Sequence, residues 1–279
     1  MRTLQGRVAA ITGAAGGIGR AIALEFAGQG MDIALADVDE AGMQSLAAEL
    51  ERRGRRALCV ATDVTRRDAI ENLLERTLAE LGSCHVMVNN AGVFNASPML
   101  NASDEQWQRV IDINLWGVIR GSRVFGKHFV KQGEGHLVNT ASAAGLFPTP
   151  GMCSYSTTKY AIVGFTQQLR WELAASGVGV TLLCPGVVKT RIAMAPGVGL
   201  EHVDMEKVVS RAPPPEGLAK KVVQAVKKNR PLVRYGPDSY VFSWLRLFPS
   251  WLIDPLGRVM AKRAFEIVTP PGEPKALPH

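Results

Sequence analysis

The chain has 279 residues, of which 47% are hydrophobic and 20% charged, enough apolar material for a large core and too much for a disordered chain. Basic residues outnumber acidic ones by 32 to 25, but residues 1–185 carry 17 of each and residues 186–279 carry 15 basic against 8 acidic. A nucleic-acid binder that is basic over its whole surface is therefore excluded, and only the last third is cationic.

Short aliphatic and β-branched runs alternate with longer amphipathic segments. Strands are expected at residues 8–12, 32–36, 57–61, 86–89, 136–140, 178–184 and 232–235, and helices at 17–29, 40–53, 67–81, 103–131, 154–176 and 216–228. Helical crossovers of this length imply an α/β fold whose parallel sheet of seven strands is doubly wound and covered on both faces. No linker, repeat or low-complexity tract divides it, so a single domain is expected. In such a sheet ligands bind beyond the carboxyl ends of the strands, and the glycine, Asn and Ser signals fall there. Cys59, Cys84, Cys153 and Cys184 form no CxxC or Cys/His cluster, which argues against disulfides and a metal site and for a reducing, cytoplasmic setting. No apolar signal segment precedes Val8, and no run approaches the roughly 20 apolar residues of a membrane span.

The first strand runs into Thr12-Gly13-Ala14-Ala15-Gly16-Gly17-Ile18-Gly19 and then a helix. Glycines at 13, 17 and 19 let the turn tighten and the backbone approach a pyrophosphate, whose charge meets the free N–H groups of the helix start. Asp37 closes the second strand. A carboxylate there accepts from the adenosine ribose hydroxyls and repels a 2′-phosphate, and no Lys or Arg stands at 14–16 or 38, so NAD is expected over NADP. Asp63-Val64 suits either the adenine edge or a cap for the next helix. Asn89-Asn90-Ala91-Gly92 ends the fourth strand with small residues and amides, fit for a backbone passing under a flat cofactor.

Tyr155 and Lys159 are four apart on one helix and share a face. A phenol titrates near 10, too high for proton exchange at neutral pH, and a neighbouring ammonium favours its ionised form. Ser142 follows the fifth strand, so its hydroxyl and the phenol can converge on one substrate oxygen. Asn114, a poor helix former inside a helix, offers an amide that can hold a water against the lysine.

Taken in order, TGxxxGIG at 12–19, Asp37, Asp63, NNAG at 89–92, Asn114, Ser142, Tyr155 with Lys159, and Pro185-Gly186 with Thr190 as PGxxxT resemble the short-chain dehydrogenases/reductases over residues 6–191. The resemblance implies a Rossmann-like fold and a catalytic tetrad of Asn114, Ser142, Tyr155 and Lys159. Tyr155 would be the general acid/base, Ser142 would polarise the substrate oxygen, Lys159 would hold the nicotinamide ribose and lower the Tyr155 pKa, and Asn114 would place a water. The segment Val187 to Thr190 would meet the carboxamide, with Pro185, Gly186, Val188 and Thr190 among the cofactor-binding residues. Where the family often has paired serines, this chain has Ala141-Ser142. The implied reaction is NAD-dependent interconversion of a secondary alcohol and its ketone, with an NADPH-dependent carbonyl reductase or a non-catalytic protein of the same fold as alternatives.

Residues 1–236 are read as the cofactor and catalytic unit, with a substrate lid at about 191–215, and 237–279 as a helical extension on the same domain. Phe94, Leu146, Met152 and Cys153 are expected to line an apolar pocket. The extension is dense in aromatics beside basic residues. It is read either as helices, broken at Pro249, that pack on the domain or a second subunit, or as a peripheral membrane contact. Apolar residues on more than one face of the helices at 103–131 and 154–176 (Trp116, Phe125, Phe165, Leu169, Leu173) suit a subunit contact or a face fully buried within one subunit, and the resemblance implies a homodimer or homotetramer formed through these helices.

Overall fold

The computed structural model describes residues 3–194, 198–200 and 202–269. Seven strands, β1 (Val8–Thr12), β2 (Asp32–Asp37), β3 (Ala57–Ala61), β4 (Val86–Asn89), β5 (Gly135–Thr140), β6 (Val178–Pro185) and β7 (Leu232–Tyr235), form one parallel sheet in the order β3-β2-β1-β4-β5-β6-β7. The order reverses between β1 and β4, which opens the crevice used for ligands in doubly wound sheets.

The strands read as continuous apolar runs because both faces of the sheet are covered. Alternation along them sorts side chains between two cores. Ala9 and Ile11 of β1 join Ile33 and Leu35 of β2 beneath α1 (Gly17–Gly28), α2 (Glu40–Arg52) and α8 (Pro215–Lys228). Val8 and Ala10 join Ala34 and Met87 on the other face, beneath α3 (Arg67–Leu81) and α5 (Gly117–Gln132). That period of two is the strand pleat expressed as a division of labour. Near the carboxyl ends of β4 and β5 the core admits a polar group in which Asn89 Oδ1 is left without a partner. Asn139 Oδ1 accepts from Asn89 Nδ2 at 2.8 Å and from Ser122 Oγ at 3.2 Å, while Asn139 Nδ2 donates to Thr166 Oγ1 at 3.2 Å.

Three expectations change. The single helix at 103–131 is α4 (Asp104–Val110), a π-helical turn at Ile111–Trp116, and then α5. The wider turn carries Asn114, whose bonds outside the helix account for it below, and π-bulges of this kind concentrate at functional sites. The helix expected to reach 176 is α6 (Cys153–Glu172). Its last turn gives way to tight turns that end at Gly177, in the left-handed region with φ 75°. Phe125 is fully buried inside the subunit, so of the residues expected at a subunit contact it belongs to the core instead, whereas Trp116 remains 42% exposed beneath the Arg120 guanidinium.

In the lid region, residues 195–197 and 201 lie outside the described residues. The remainder contains a short 3-10 turn at Ile192–Met194 and α7 (Met205–Ser210), capped by Asp204. Val198 and Leu200 are buried with Ala96, Phe94 and Phe265. The extension forms α9 (Pro237–Leu245) and α10 (Ser250–Val268), with Pro249 capping the second helix. Phe242 of α9 stacks on Phe147 at 5.3 Å. Among the described residues no helix is long and apolar enough to cross a membrane.

Candidate active site

Helix α1 starts after Gly16 with no side chain accepting from its first N–H groups, whereas Asp39 and Ser103 cap α2 and α4. Free donors at a helix start are a seat for phosphate. Gly13 and Gly17 have φ of 65° and 53°, and a Cβ on Gly19 would collide with the Gly13 carbonyl, so each of the three positions requires glycine. Ile18 turns its side chain back onto the core below. Asp37 is tied to this loop: Oδ2 accepts from Ala15 N at 2.9 Å, and Oδ1 accepts from Val38 N and Asp39 N at 2.8 and 3.1 Å. Its carboxylate thereby sets the height of the glycine turn, and both oxygens have capacity for further donors.

The NNAG segment is pinned to the same turn. The Thr12 hydroxyl accepts from Asn90 N and Ala91 N at 3.0 and 3.1 Å, and Asn90 Nδ2 donates to the carbonyls of Thr12 and Gly13 at 3.1 and 3.2 Å. Asn90 is therefore a fastener between β1 and β4. Thr12 was legible only as a motif letter, and its hydroxyl is the hub of this contact. Asp63 Oδ1 accepts from Thr65 N and Thr65 Oγ1 at 2.9 and 2.8 Å, closing a turn ahead of α3, whose own start receives no side-chain cap. Val64 is buried against Gly117, at which a Cβ would come within 2.9 Å of its methyl group.

The tetrad assembles where β4, β5 and β6 end. Asn114 is fully buried and clamps Val93, accepting from its N–H at 2.8 Å and donating to its carbonyl at 2.9 Å. The amide expected to carry a water is thus engaged with the backbone after Gly92, which explains the π turn that presents it. A Cβ on Gly92 would stand 3.2 Å from Asn114 Oδ1 and 3.7 Å from Lys159 Nζ, so Gly92 borders both the amide and the ammonium. Lys159 is 4% exposed and donates from Nζ to the Thr140 carbonyl at 3.1 Å. Burial pushes its pKa down to about 8, against a small opposing effect of Cys184. The same ammonium lies 5.4 Å from the Tyr155 ring centroid.

Burial holds the Tyr155 phenol above its ordinary value, and a hydrogen bond from the Ser142 side works the other way. The Ser142 hydroxyl caps the following 3-10 turn by accepting from Ala144 N at 3.2 Å and faces the Pro185 carbonyl at 3.4 Å. Phe94 meets the Tyr155 ring edge-on at 5.0 Å, and Met152 and Cys153 are half-buried at the start of α6. Leu146 differs from expectation. It is 2% exposed and enclosed by Val118, Ile162 and Leu182, so it backs the site from the core.

Pro185 and Gly186 leave β6 at the same edge, Val188 is buried, and Thr190 stands beside Gly17, where a Cβ would lie 3.3 Å from its methyl. Sequence reasoning missed Asp238 and Ser239, which reach this segment from α9: Asp238 Oδ2 accepts from Val187 N at 2.9 Å and Ser239 Oγ donates to the Cys184 carbonyl at 2.7 Å. An acidic residue opening a helix was the only local sign, and it says nothing of a partner 51 positions away.

A family model described as short chain dehydrogenase matches residues 7–197. "Probable oxidoreductase EphD" of Mycobacterium bovis is 39% identical over 255 residues, covering 87% of this chain and 43% of that protein, so the chain spans less than half the length of this relative. "3beta-hydroxysteroid dehydrogenase 2" of Eggerthella lenta is 35% identical over 71% of this chain and 76% of its own. A solved short chain dehydrogenase/reductase from Burkholderia phymatum in complex with NAD superposes with a TM-score of 0.80 at 30% identity, covering 99% of this chain and all of that one.

The buried lysine carries a stability cost with a definite pH window. Its folded-state pKa of about 8 lies below the ordinary 10.5, so the cost of burying the charge is fully present below pH 8 and fades as pH rises toward 10.5. Lys159→Met should therefore melt higher than the parent at pH 7, by a difference on the order of 1–3 kcal/mol, and the gap should shrink by about half or more at pH 9.5. A gap of equal size at both pH values, in paired thermal scans, would contradict this account.

Proposed function

This chain belongs to the short chain dehydrogenase family, and from that premise we propose that this oxidoreductase interconverts a hydrophobic secondary alcohol and its ketone with NAD. The observation that carries the proposal is the convergence of Tyr155, Ser142 and Lys159 on one point at the carboxyl edge of β5 and β6. Bound nicotinamide supplies the hydride acceptor or donor. The phenol of Tyr155 takes the alcohol proton during oxidation or returns it during reduction, and Ser142 holds the same substrate oxygen by a second hydrogen bond. Lys159 contributes positive charge beside a phenol that burial alone keeps protonated, and its Nζ offers further donors to ribose hydroxyls. Asn114 keeps Val93 and Gly92 in place beneath that ammonium and is a positioning residue in this scheme.

The uncapped donors of α1, the three obligatory glycines and the carboxylate of Asp37 fit a dinucleotide. Residues Gly13, Gly17, Ile18 and Gly19 would face the pyrophosphate, Asp37 the adenosine ribose, Asp63 and Val64 the adenine, Asn90, Ala91 and Gly92 the second ribose, and 185–190 the carboxamide. The negative charge of Asp37, followed by the apolar and 73% exposed Val38, supports NAD over NADP. Phe94, Met152 and Cys153 beside Tyr155 support an apolar substrate, as does the likeness to a protein named for hydroxysteroids. Four free cysteines support a reducing, cytoplasmic setting.

The extension presents Trp244, Leu247 and Trp251, which are 57%, 76% and 73% exposed, next to Arg246. Apolar surface of this kind normally meets a second surface, and we read it as either a contact with a second copy of the chain in a homodimer or homotetramer, or an anionic lipid interface. No wild-type pelleting with vesicles containing phosphatidylglycerol at low salt would remove the lipid reading and leave the subunit contact.

Replacing Tyr155 with Phe keeps the ring against Phe94 and removes the exchangeable proton. NADH formation over a panel of steroid, terpene, aryl and aliphatic alcohols should fall by about two to three decades, and unchanged turnover would rule out the assigned role. In a cofactor titration NAD should bind more tightly than NADP. The opposite order would show that Asp37 does not face the adenosine ribose.

A further inference from the structure

We propose that Asp238 is a positioning residue that sets where residues 186–190 stand, and through them how the nicotinamide end of the cofactor is held. The inference rests on the reading of that segment as the carboxamide contact. β6 ends at Pro185, and the last sheet rung beyond it is Gly186 N donating to the Tyr235 carbonyl at 2.7 Å. Val187 has left the sheet and is half exposed, and the acceptor for its N–H is the Asp238 carboxylate at 2.9 Å. A carboxylate accepting from a backbone N–H makes one of the stronger hydrogen bonds available to a chain. Holding that N–H fixes the peptide plane from which Val188, Lys189 and Thr190 continue.

The local design leaves little slack. Gly236, with φ 89°, turns the chain out of β7 so that Pro237 can open α9 with Asp238 in its first turn, where the helix dipole favours a negative charge. A Cβ on Gly186 would overlap the Asp238 carboxylate, so the glycine of the PGxxxT motif is required here for room. The adjacent Ser239, fully buried, donates to the Cys184 carbonyl at 2.7 Å, so neighbouring side chains of α9 grip the chain on both sides of Pro185-Gly186. Pro185 in turn accepts from Ser142 at 3.4 Å. Farther on, Lys189 N donates to the Pro213 carbonyl at 3.0 Å and Thr190 reaches Gly17. The segment is thus suspended across the ligand edge between the α9 brace and the glycine turn.

The test separates the two ends of the cofactor by calorimetric titration with NAD and with ADP-ribose, which lacks the nicotinamide. Asp238→Ala should weaken NAD about tenfold, the scale of one charge-assisted hydrogen bond, and leave ADP-ribose within about twofold. Asp238→Asn retains an oxygen acceptor and should fall between the two for NAD; it carries the test if Asp238→Ala does not fold. Equal weakening of both ligands would assign Asp238 a merely structural role, and no weakening of either would remove the brace. Either result overturns the inference. A parent chain that fails to bind ADP-ribose would instead overturn the cofactor reading on which it rests.

Discussion

A parallel sheet delivers every strand end of one polarity to the same edge, and each end leaves backbone groups that the next rung no longer pairs. Here that edge is closed by side chains. Thr12 pairs the first amides after β4, Asn114 pairs Val93 beyond them, Lys159 takes the last carbonyl region of β5 at Thr140, and Asp238 takes the first free N–H after β6. The requirement that buried backbone groups find partners therefore concentrates Thr, Asn, Lys, Ser and Asp where the strand order also opens a crevice. The proposed chemistry would use groups that the fold needs at that edge for its own satisfaction.

The same edge holds a conflict that the chain tolerates. Burial disfavours the charged form of Lys159 and also the charged form of Tyr155, so both groups are moved toward neutrality, one down from its ordinary pKa and the other up. A proton exchanger needs the phenol moved the other way. Positive charge near the ring opposes burial, and the lysine can provide it only because its ammonium keeps a carbonyl partner and lies over the ring face rather than in the apolar core. Stability given up at such a place is a common companion of catalysis.

What the sequence reveals of this arrangement divides along a physical line. Strand and helix periods are local, and so the seven strands and their order of appearance were legible, as were the glycine turn and the Tyr155–Lys159 pair. Asn114 was noticed as a poor helix former, yet the π turn around it follows from bonds to Val93, 21 residues away. Leu146 is expected to line the pocket, but beyond the 3-10 turn that follows Ser142 it lies in the core with Ile162. Asp63 could be read two ways, and its bonds to the amide and hydroxyl of Thr65 form a turn ahead of α3 and cap no helix. Asp238 left no trace, since nothing periodic connects residue 238 to residue 187.

That last contact changes how the basic, aromatic extension is understood. A boundary at residue 236 separates the chain by composition, but both ends of the described part of the extension, 237–269, reach the carboxyl edge of the sheet or the segments beside it. Asp238 and Ser239 grip the exit of β6, and near residue 269 Val268 packs against Gly151, two residues before the start of α6, whose first turn carries Ser154 and Tyr155, while Phe265 joins Phe94 and Leu200. Phe94 is the ring that meets Tyr155. The basic residues and exposed indoles of the extension therefore lie on the same element that holds the exit of β6 at Val187 and packs on Phe94 through Phe265.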